Sequence, residues 1–411
     1  MTLGRGIILR VTTTAPSAGG SQAIYLYRQA LAPEARGGKD LFRLAVAAVN
    51  ETIAYSVALN QLYDMKPPGM EVEDVEQYVD DLKEELDRYI AYLRDPHTID
   101  HHNVRFRQDT HSSLVSRLRL DLHTVPDLAT LSNLMTGHDS VGEPIAGKHY
   151  HRGRPGSEAV AFATLVWSAS KPVSLAWSMA GPNEREQIME VHRNAVDVVM
   201  TTVEERAGLV TSGGGGKGGH ERGHVTWICF DHAQSRAGDP DLHTHVVLLN
   251  TVHSQSSGRL GSLRTFKLHG QGWPLSAQYN RALSEGLRRI GIDAWYDSEH
   301  RETKIRGISD EVLETFSNRR AQGKAWAEAY AIKQGWEFDR LSDDQQRRLV
   351  AYGTVVTRSK DIKTGNTEEW RRRAQATGWE IPSLFATLIP THYHTQHEEL
   401  EWDDRAPRLS W

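Results

Sequence analysis

The chain has 411 residues, 39% hydrophobic and 25% charged, a make-up that fits a folded protein of two or three structural units and excludes a disordered or fibrous chain. One cysteine, Cys229, excludes an internal disulfide and any zinc site built on paired thiolates. No apolar run is long enough for a membrane span or a signal segment, so a cytoplasmic protein without membrane insertion is expected. The net charge of −5 argues against a nucleic-acid partner only on average, because residues 71–87 hold nine acids against Lys83 alone and leave the remainder net basic.

Taken in chain order, Ile7 to Thr14 reads as a strand, followed by a Ser/Gly-rich turn and a short segment carrying Tyr25 and Tyr27. If that segment is extended, the two tyrosines share a face. Apolar spacing from Asp40 to Met65 predicts a helix with Asp40 as N-cap, ended by Pro67, Pro68 and Gly69. Glu71 to Leu93 predicts a second helix with its acids opposite an apolar stripe, so that about 40–95 forms a helical hairpin. Val160 to Val166 reads as a strand, Ser168 to Met179 as a turn into a helix, and Glu184 to Glu205 as a helix that stops before Gly208. Gly213 to Gly219 reads as a flexible loop through which no phosphate-binding pattern can be drawn, and no helicase or ATPase motif occurs elsewhere. Val225 to His232 and His243 to Asn250 predict an antiparallel pair. Leu275 to Ile290 reads as a helix, Thr303 to Arg306 as a short strand, and Glu311 onward as mostly helical to about Ala376.

The strongest chemical signal is Phe230-Asp231-His232 followed by Asp239-Pro240-Asp241-Leu242-His243-Thr244-His245. Side chains on a strand alternate, so His243 and His245 project from one face with Thr244 on the other. If the preceding strand pairs antiparallel, His232 completes a three-nitrogen site with open coordination positions, suited to polarising a phosphate oxygen. The cluster alone also fits a small-molecule oxygenase or hydrolase, or half-buried polar residues without a ligand. His392, His394 and His397 sit among acids in a tail without an apolar frame, and they read as solvated, as do His101, His102, His220 and His224.

Phe230-x-His232-x-x-Ser235-Arg236-x-x-Asp239-Pro240-x-Leu242-His243-Thr244-His245, followed by Asn250, resembles the metal-site signature of conjugative relaxases of the TrwC type, the MobF class of HUH endonucleases. Leu134-Met135-Thr136-Gly137, Gly142-Glu143, and Ser168-Ala169-Ser170-Lys171-Pro172-Val173-Ser174 are similar to further stretches of that family. So are His192, Tyr279, Leu283, Leu287, Ile305-Arg306-Gly307-Ile308 and Phe316-Ser317-x-Arg319, in the same order, with weaker echoes at 354–379.

The resemblance implies an α+β fold, a palm-like antiparallel sheet flanked by helices, here with the helical hairpin inserted and a helical C-terminal region. The expected division is a relaxase domain over 1–325 and a C-terminal region over 326–411 with an acidic tail. It also implies the activity, nicking and religation of one strand at a plasmid transfer origin through a 5′-phosphotyrosine. On that reading His232, His243 and His245 hold a divalent ion, Mg or Mn with Zn as an alternative, and Tyr25 or Tyr27 is the nucleophile. The family's adjacent tyrosine pair is split here by Leu26, and a second pair is absent, leaving Tyr55 or Tyr63 as substitutes.

Thr164 stands where the family places an acid, so Asp231, Glu158 or a backbone carbonyl is expected to orient the imidazoles. Arg152, Arg154, Lys171, Arg236, Arg264, Arg319 and Arg320 are the candidate phosphate contacts, and Trp167, Trp227 and Trp273 the candidate stacking residues. The implied partners are single-stranded transfer-origin DNA, accessory DNA-binding proteins and a type IV secretion coupling protein. A rolling-circle replication initiator and a non-cleaving single-stranded DNA-binding module are the competing readings.

Overall fold

The computed structural model describes residues 10–31, 38–49, 53–66, 72–94, 103–145, 160–211, 219–235, 237–268, 271–357 and 367–379. β1 (Arg10–Thr14) leads into α1 (Pro16–Leu31), and α2 (Gly38–Val49), α3 (Tyr55–Leu62) and α4 (Val72–Arg94) follow. Next come β2 (Val104–Phe106), α5 (Ser112–Leu118), α6 (Leu128–Met135), β3 (Phe162–Ser168), α7 (Lys171–Met179) and α8 (Pro182–Ala207). A run of strands continues the chain: β4 (Leu209–Thr211), β5 (His220–His224), β6 (Trp227–Gln234), β7 (Pro240–Leu249), β8 (Val252–Ser254) and β9 (Leu260–Gly261). After α9 (Gly272–Arg289) and the hairpin β10 (Ala294–Asp297) and β11 (Glu302–Ile305) come α10 (Asp310–Thr315), α11 (Asn318–Lys333), α12 (Asp343–Val356) and α13 (Thr367–Ala376).

The central sheet has the order β1-β3-β7-β6-β2, every neighbouring pair antiparallel. Alternation along its strands divides the apolar residues between two cores. Trp227, Cys229, Val246 and Leu248 face a core built with α7, α8, α9, α10 and α13. Ile228, Phe230, Val247 and Leu249 face the other, built with α1, α2, α3, α4 and α6. A sheet covered on both faces needs apolar residues at nearly every position, which is why β3, β6 and β7 read as continuous apolar runs. A smaller sheet, β4-β5-β8-β9, stands apart from the central one in its pairing. The architecture is the expected α+β one.

Several elements differ from expectation. The segment with Tyr25 and Tyr27 is helical, because α1 begins at Pro16 and runs through the Ser/Gly-rich stretch read as a turn. The glycines have a packing reason: a Cβ on Gly19 would lie 2.0 Å from the Met135 carbonyl oxygen, so α1 crosses the end of α6 at backbone contact. The shared face of Tyr25 and Tyr27 was expected of an extended segment, and this one is helical.

The helix expected from Asp40 to Met65 is two helices, and α2 starts at Gly38, so Asp40 is not its N-cap. α2 and α3 both lean on α4 through Leu41, Ala45, Ala58, Leu62, Val79, Leu82 and Leu86, so the inserted hairpin exists with a broken first arm. The short strands β2, β4, β5, β8 and β9 escaped detection because two to five residues carry no readable period. The Gly213 to Gly218 stretch, the His392, His394 and His397 cluster, and His101 and His102 lie outside the described residues. His224, expected to be a solvated surface residue, is only partly exposed and stacks on His111.

α13 returns to the first core, where Trp370 and Ala374 are buried, and Trp370 Nε1 donates to the Gly238 carbonyl at 2.8 Å. α13 thus packs in the same core as α7, α8 and α9. No described helix is long and apolar enough to cross a membrane.

Candidate metal centre

β6 and β7 pair so that His232 stands directly opposite His243, and His245 opposite Phe230. All three imidazoles project from the face that α1 covers, with ring centroids 4.8 to 5.2 Å apart. One ligand nitrogen from each ring lies within 4.8 Å of the others, the spacing that a single ion can bridge. His232 is buried, and His243 and His245 are half-buried.

Carbonyl partners set two of the tautomers. A carbonyl can only accept, so His232 Nε2 donates to Leu26 O at 3.3 Å and His243 Nδ1 donates to Asp241 O at 2.7 Å. In the neutral rings the protons are then used, and His232 Nδ1 and His243 Nε2 face each other at 3.3 Å with a lone pair each. Two facing lone pairs repel unless a cation lies between them. Neutrality is favoured by the surroundings, since burial, and then repulsion from His243, pushes the His232 pKa well below the ordinary histidine value. Three imidazoles with one ring nitrogen each converging on a common point are a donor set that fits a divalent ion.

The orienting groups are thus backbone carbonyls, one of the three alternatives weighed from sequence. Asp231 does not take that role. Being adjacent to His232 on a strand, it points through the opposite face, where it accepts from Arg105 Nη1 at 2.7 Å, Arg193 Nε at 2.8 Å and Thr244 Oγ1 at 2.5 Å. Burial alone would raise its pKa, but the Arg105 and Arg193 guanidiniums outweigh that and hold it below the usual carboxylate range. Asp241 Oδ2 lies 3.9 Å from His243 Nδ1. Thr164 pairs with Val247 in the neighbouring strand, two positions from Val166, which pairs with His245.

Tyr25 is partly buried on α1 beside Leu26, the residue whose carbonyl meets His232. Tyr27 belongs to the same helix, and its side chain lies outside the described residues, as do Arg152, Arg154, Glu158 and Arg236. Tyr55 donates a hydrogen bond from its hydroxyl to Asp87 of α4. Desolvation, followed by that carboxylate, pushes its pKa up to about 12, which disfavours it as a nucleophile. Tyr63 is 54% exposed at the end of the α3 arm.

Lys171, at the start of α7, donates from Nζ to the Pro240 carbonyl at 2.7 Å, bracing the strand that carries His243. Arg319 Nη2 donates to Thr354 O at 3.0 Å and ties α11 to α12. Trp167 and Trp227 are core residues, 1% and 2% exposed, and so are not available for stacking on bases. Trp273 is 42% exposed, with the Arg301 guanidinium 4.1 Å above its ring.

Sequence reasoning overlooked a buried polar chain beneath the histidines, on the sheet's other face. His192 of α8 joins Thr244 Oγ1 through Nε2 at 2.8 Å and Tyr279 Oη of α9 through Nδ1 at 2.7 Å. The available signal was the threonine itself, a polar residue that alternation turns away from the histidine face into a core.

Residues 74–377 match the family described as TrwC relaxase. The multifunctional conjugation protein TraI of Escherichia coli is 26% identical over 266 residues, a match spanning 62% of this chain but only 13% of TraI. TraI of strain K12 matches over the same extent. Among solved structures, the metal-bound complex of conjugative relaxase TrwC with origin DNA superposes with a TM-score of 0.56 at 24% identity, covering 69% of this chain and 92% of that one. TrwC bound to a 27-mer with the recognition hairpin and the cleavage site also superposes with a TM-score of 0.56, at 23% identity, covering 71% and 97%. At these identities the structural likeness speaks for the fold.

Proposed function

The chain belongs to the TrwC relaxase family, and on that footing we propose that it nicks and rejoins one strand of single-stranded transfer-origin DNA through a tyrosine, with His232, His243 and His245 holding a divalent ion. The observation that carries this reading is the pair of facing lone pairs on His232 and His243, 3.3 Å apart beside His245, directly under the helix that bears Tyr25 and Tyr27. Solved relatives were captured with origin DNA and with metal, the substrate and cofactor classes proposed here. Mg or Mn suits an open site that takes phosphate oxygen, and Zn is the alternative for three imidazoles.

The chain's own groups prepare the reaction. The Leu26 and Asp241 carbonyls keep the His232 and His243 imidazoles in the ligating tautomer, and the Leu26 contact couples the tyrosine helix to the histidine face. A divalent ion held by His232, His243 and His245 would draw charge from a phosphate oxygen and would favour phenolate over phenol. In the proposed step the Tyr25 oxygen forms a bond to phosphorus, the bond from phosphorus to the 3′ oxygen breaks, and the phenol proton ends on that 3′ oxygen. The reverse attack by the 3′ hydroxyl restores the strand and frees the tyrosine without a nucleotide cofactor. Lys171 and Arg319 are proposed to supply positive charge to the DNA backbone, with Arg154 and Arg236 alongside. The working unit extends through α13, and transfer in a cytoplasmic setting further calls for accessory DNA-binding proteins and a type IV secretion coupling protein.

The test is a denaturing gel for a covalent protein–DNA adduct on single-stranded origin oligonucleotides, with and without manganese, beside Y25F and Y27F. A manganese-dependent adduct lost in Y25F is expected. Loss in Y27F alone moves the role to that residue. Tight binding with no adduct on any origin sequence favours the non-cleaving module, and cleavage of replication origins in preference to transfer origins favours the initiator reading.

A further inference from the structure

The three histidines occupy one face of the β6–β7 pair, and what fixes the backbone under them lies on the other. Asp231 and Thr244 are cross-strand partners one step along from the partners His232 and His243. Their side chains meet beneath the sheet, where the Thr244 hydroxyl reaches Asp231 Oδ1 at 2.5 Å. One bond therefore spans the two ligand-bearing strands beside the place where the ligands must converge.

With His192 neutral, the proton arrangement in this chain has a single solution. Asp231, gripped by Arg105 and Arg193, is ionised and can only accept, so Thr244 donates to it. The free lone pair of Thr244 Oγ1 then accepts from His192 Nε2–H, and His192 Nδ1 accepts from the Tyr279 hydroxyl. Each group is buried: Thr244, His192 and Tyr279 are at most 1% exposed. Threonine's β-branching allows few χ1 rotamers, so fixing its hydroxyl fixes its Cα, and that Cα lies between those of His243 and His245. The far ends of the chain are seated on α8 and α9, elements of the larger core, and on β2, the strand beside β6 in the central sheet.

We propose that Thr244, held by Asp231, His192 and Tyr279, is the positioning residue for the metal ligands: its hydroxyl sets the separation of β6 and β7 and so the spacing of His232, His243 and His245. Thr244 touches neither ion nor substrate. The proposal rests on reading the three histidines as a metal site, and its test separates the two ideas.

The experiment measures Mn2+ binding to the full chain by calorimetry, with thermal unfolding in EDTA recorded on the same samples. T244V keeps the shape and the branch but deletes the hydroxyl, and T244S keeps the hydroxyl. T244V is expected to bind Mn2+ about tenfold or more weakly, the range seen when outer groups that position ligands are removed, with T244S within about twofold of the parent. A merely structural role would lower the melting temperature of T244V and leave Mn2+ affinity at the parental value, and that result overturns the proposal. If T244V does not fold, Y279F carries the test, since it frees the His192 ring at its far end. Several-fold weaker Mn2+ binding by Y279F is then expected, and parental affinity overturns the proposal. A parent chain that binds no Mn2+ removes the metal-site reading itself, and the positioning role falls with it.

Discussion

Asp239 shows how a residue remote from the ligands holds them. It is 1% exposed at the end of the turn between β6 and β7 and accepts from Asn318 N at 3.0 Å, Asn318 Nδ2 at 2.9 Å and Arg373 Nη2 at 2.9 Å. Its own amide donates to Ser235 Oγ at 3.2 Å, closing the turn. The helices α11 and α13 thereby grip the hairpin whose strands present His232 and His243. Removing the carboxylate in D239A leaves a part-buried guanidinium and a backbone amide without their acceptor, which should cost about 3 kcal/mol, measured by urea unfolding. D239N, which keeps an acceptor oxygen for Asn318, should lose less. Equal stability of D239A and the parent would mean that water replaces the carboxylate and that the clamp is not structural. Asp239 was legible in the sequence as a motif position, and so were the three histidines, because strand alternation is strict. Arg373 was not, since it meets Asp239 across 134 residues and nothing in local spacing encodes that contact.

At the scale of elements, the long helices α4, α8 and α9 and the β6–β7 pair were readable because they carry several periods of apolar repetition. α1 was not, and Gly19 explains the failure. Glycine in a polar stretch signals a turn when only neighbours in sequence are considered, but here its missing side chain lets the helix lie against the α6 backbone. G19A makes a direct test of that account. Helix propensity alone favours alanine by about 1 kcal/mol, whereas a Cβ placed 2.0 Å from Met135 O must push α1 and α6 apart. Overpacking of this kind costs about 1–3 kcal/mol, so a net fall in melting temperature is expected. Because α1 also carries the Leu26 carbonyl that holds His232, the displacement should weaken Mn2+ binding as well. A rise in melting temperature with unchanged metal affinity would show that α1 does not pack on α6 in solution.

For the molecule as a whole, a sheet with ligands on one face and a buried polar chain on the other makes stability depend on pH through groups that never meet solvent. Burial lowers the His192 pKa to about 3, since the attraction of Asp231 is offset by Arg105, Arg193 and His243. In the unfolded chain the same imidazole titrates near 6.5. Between those values the unfolded state binds a proton that the native state refuses, so stability is full above about pH 6.5 and falls as pH drops, by about 1.4 kcal/mol per unit for this one group. His232, with burial as its main cause, shifts in the same direction and adds to the slope in metal-free protein. Asp231 acts in a lower window, because its lowered pKa contributes stability that is present above the unfolded carboxylate value near 3.9 and is lost only as pH falls through the native one. Urea unfolding in EDTA between pH 7.5 and 4.5 therefore reads the histidines above the window in which Asp231 acts. H192Q, whose amide can still donate to Thr244 and accept from Tyr279, should flatten the profile by about one proton's worth, 1.4 kcal/mol per pH unit over the lower part of that range. If the H192Q and parental profiles run parallel, His192 is protonated in the native protein at the acidic end of that range. The Tyr279 hydroxyl would then have to accept rather than donate, and the proton order assigned to the chain beneath the sheet would be reversed from His192 outward.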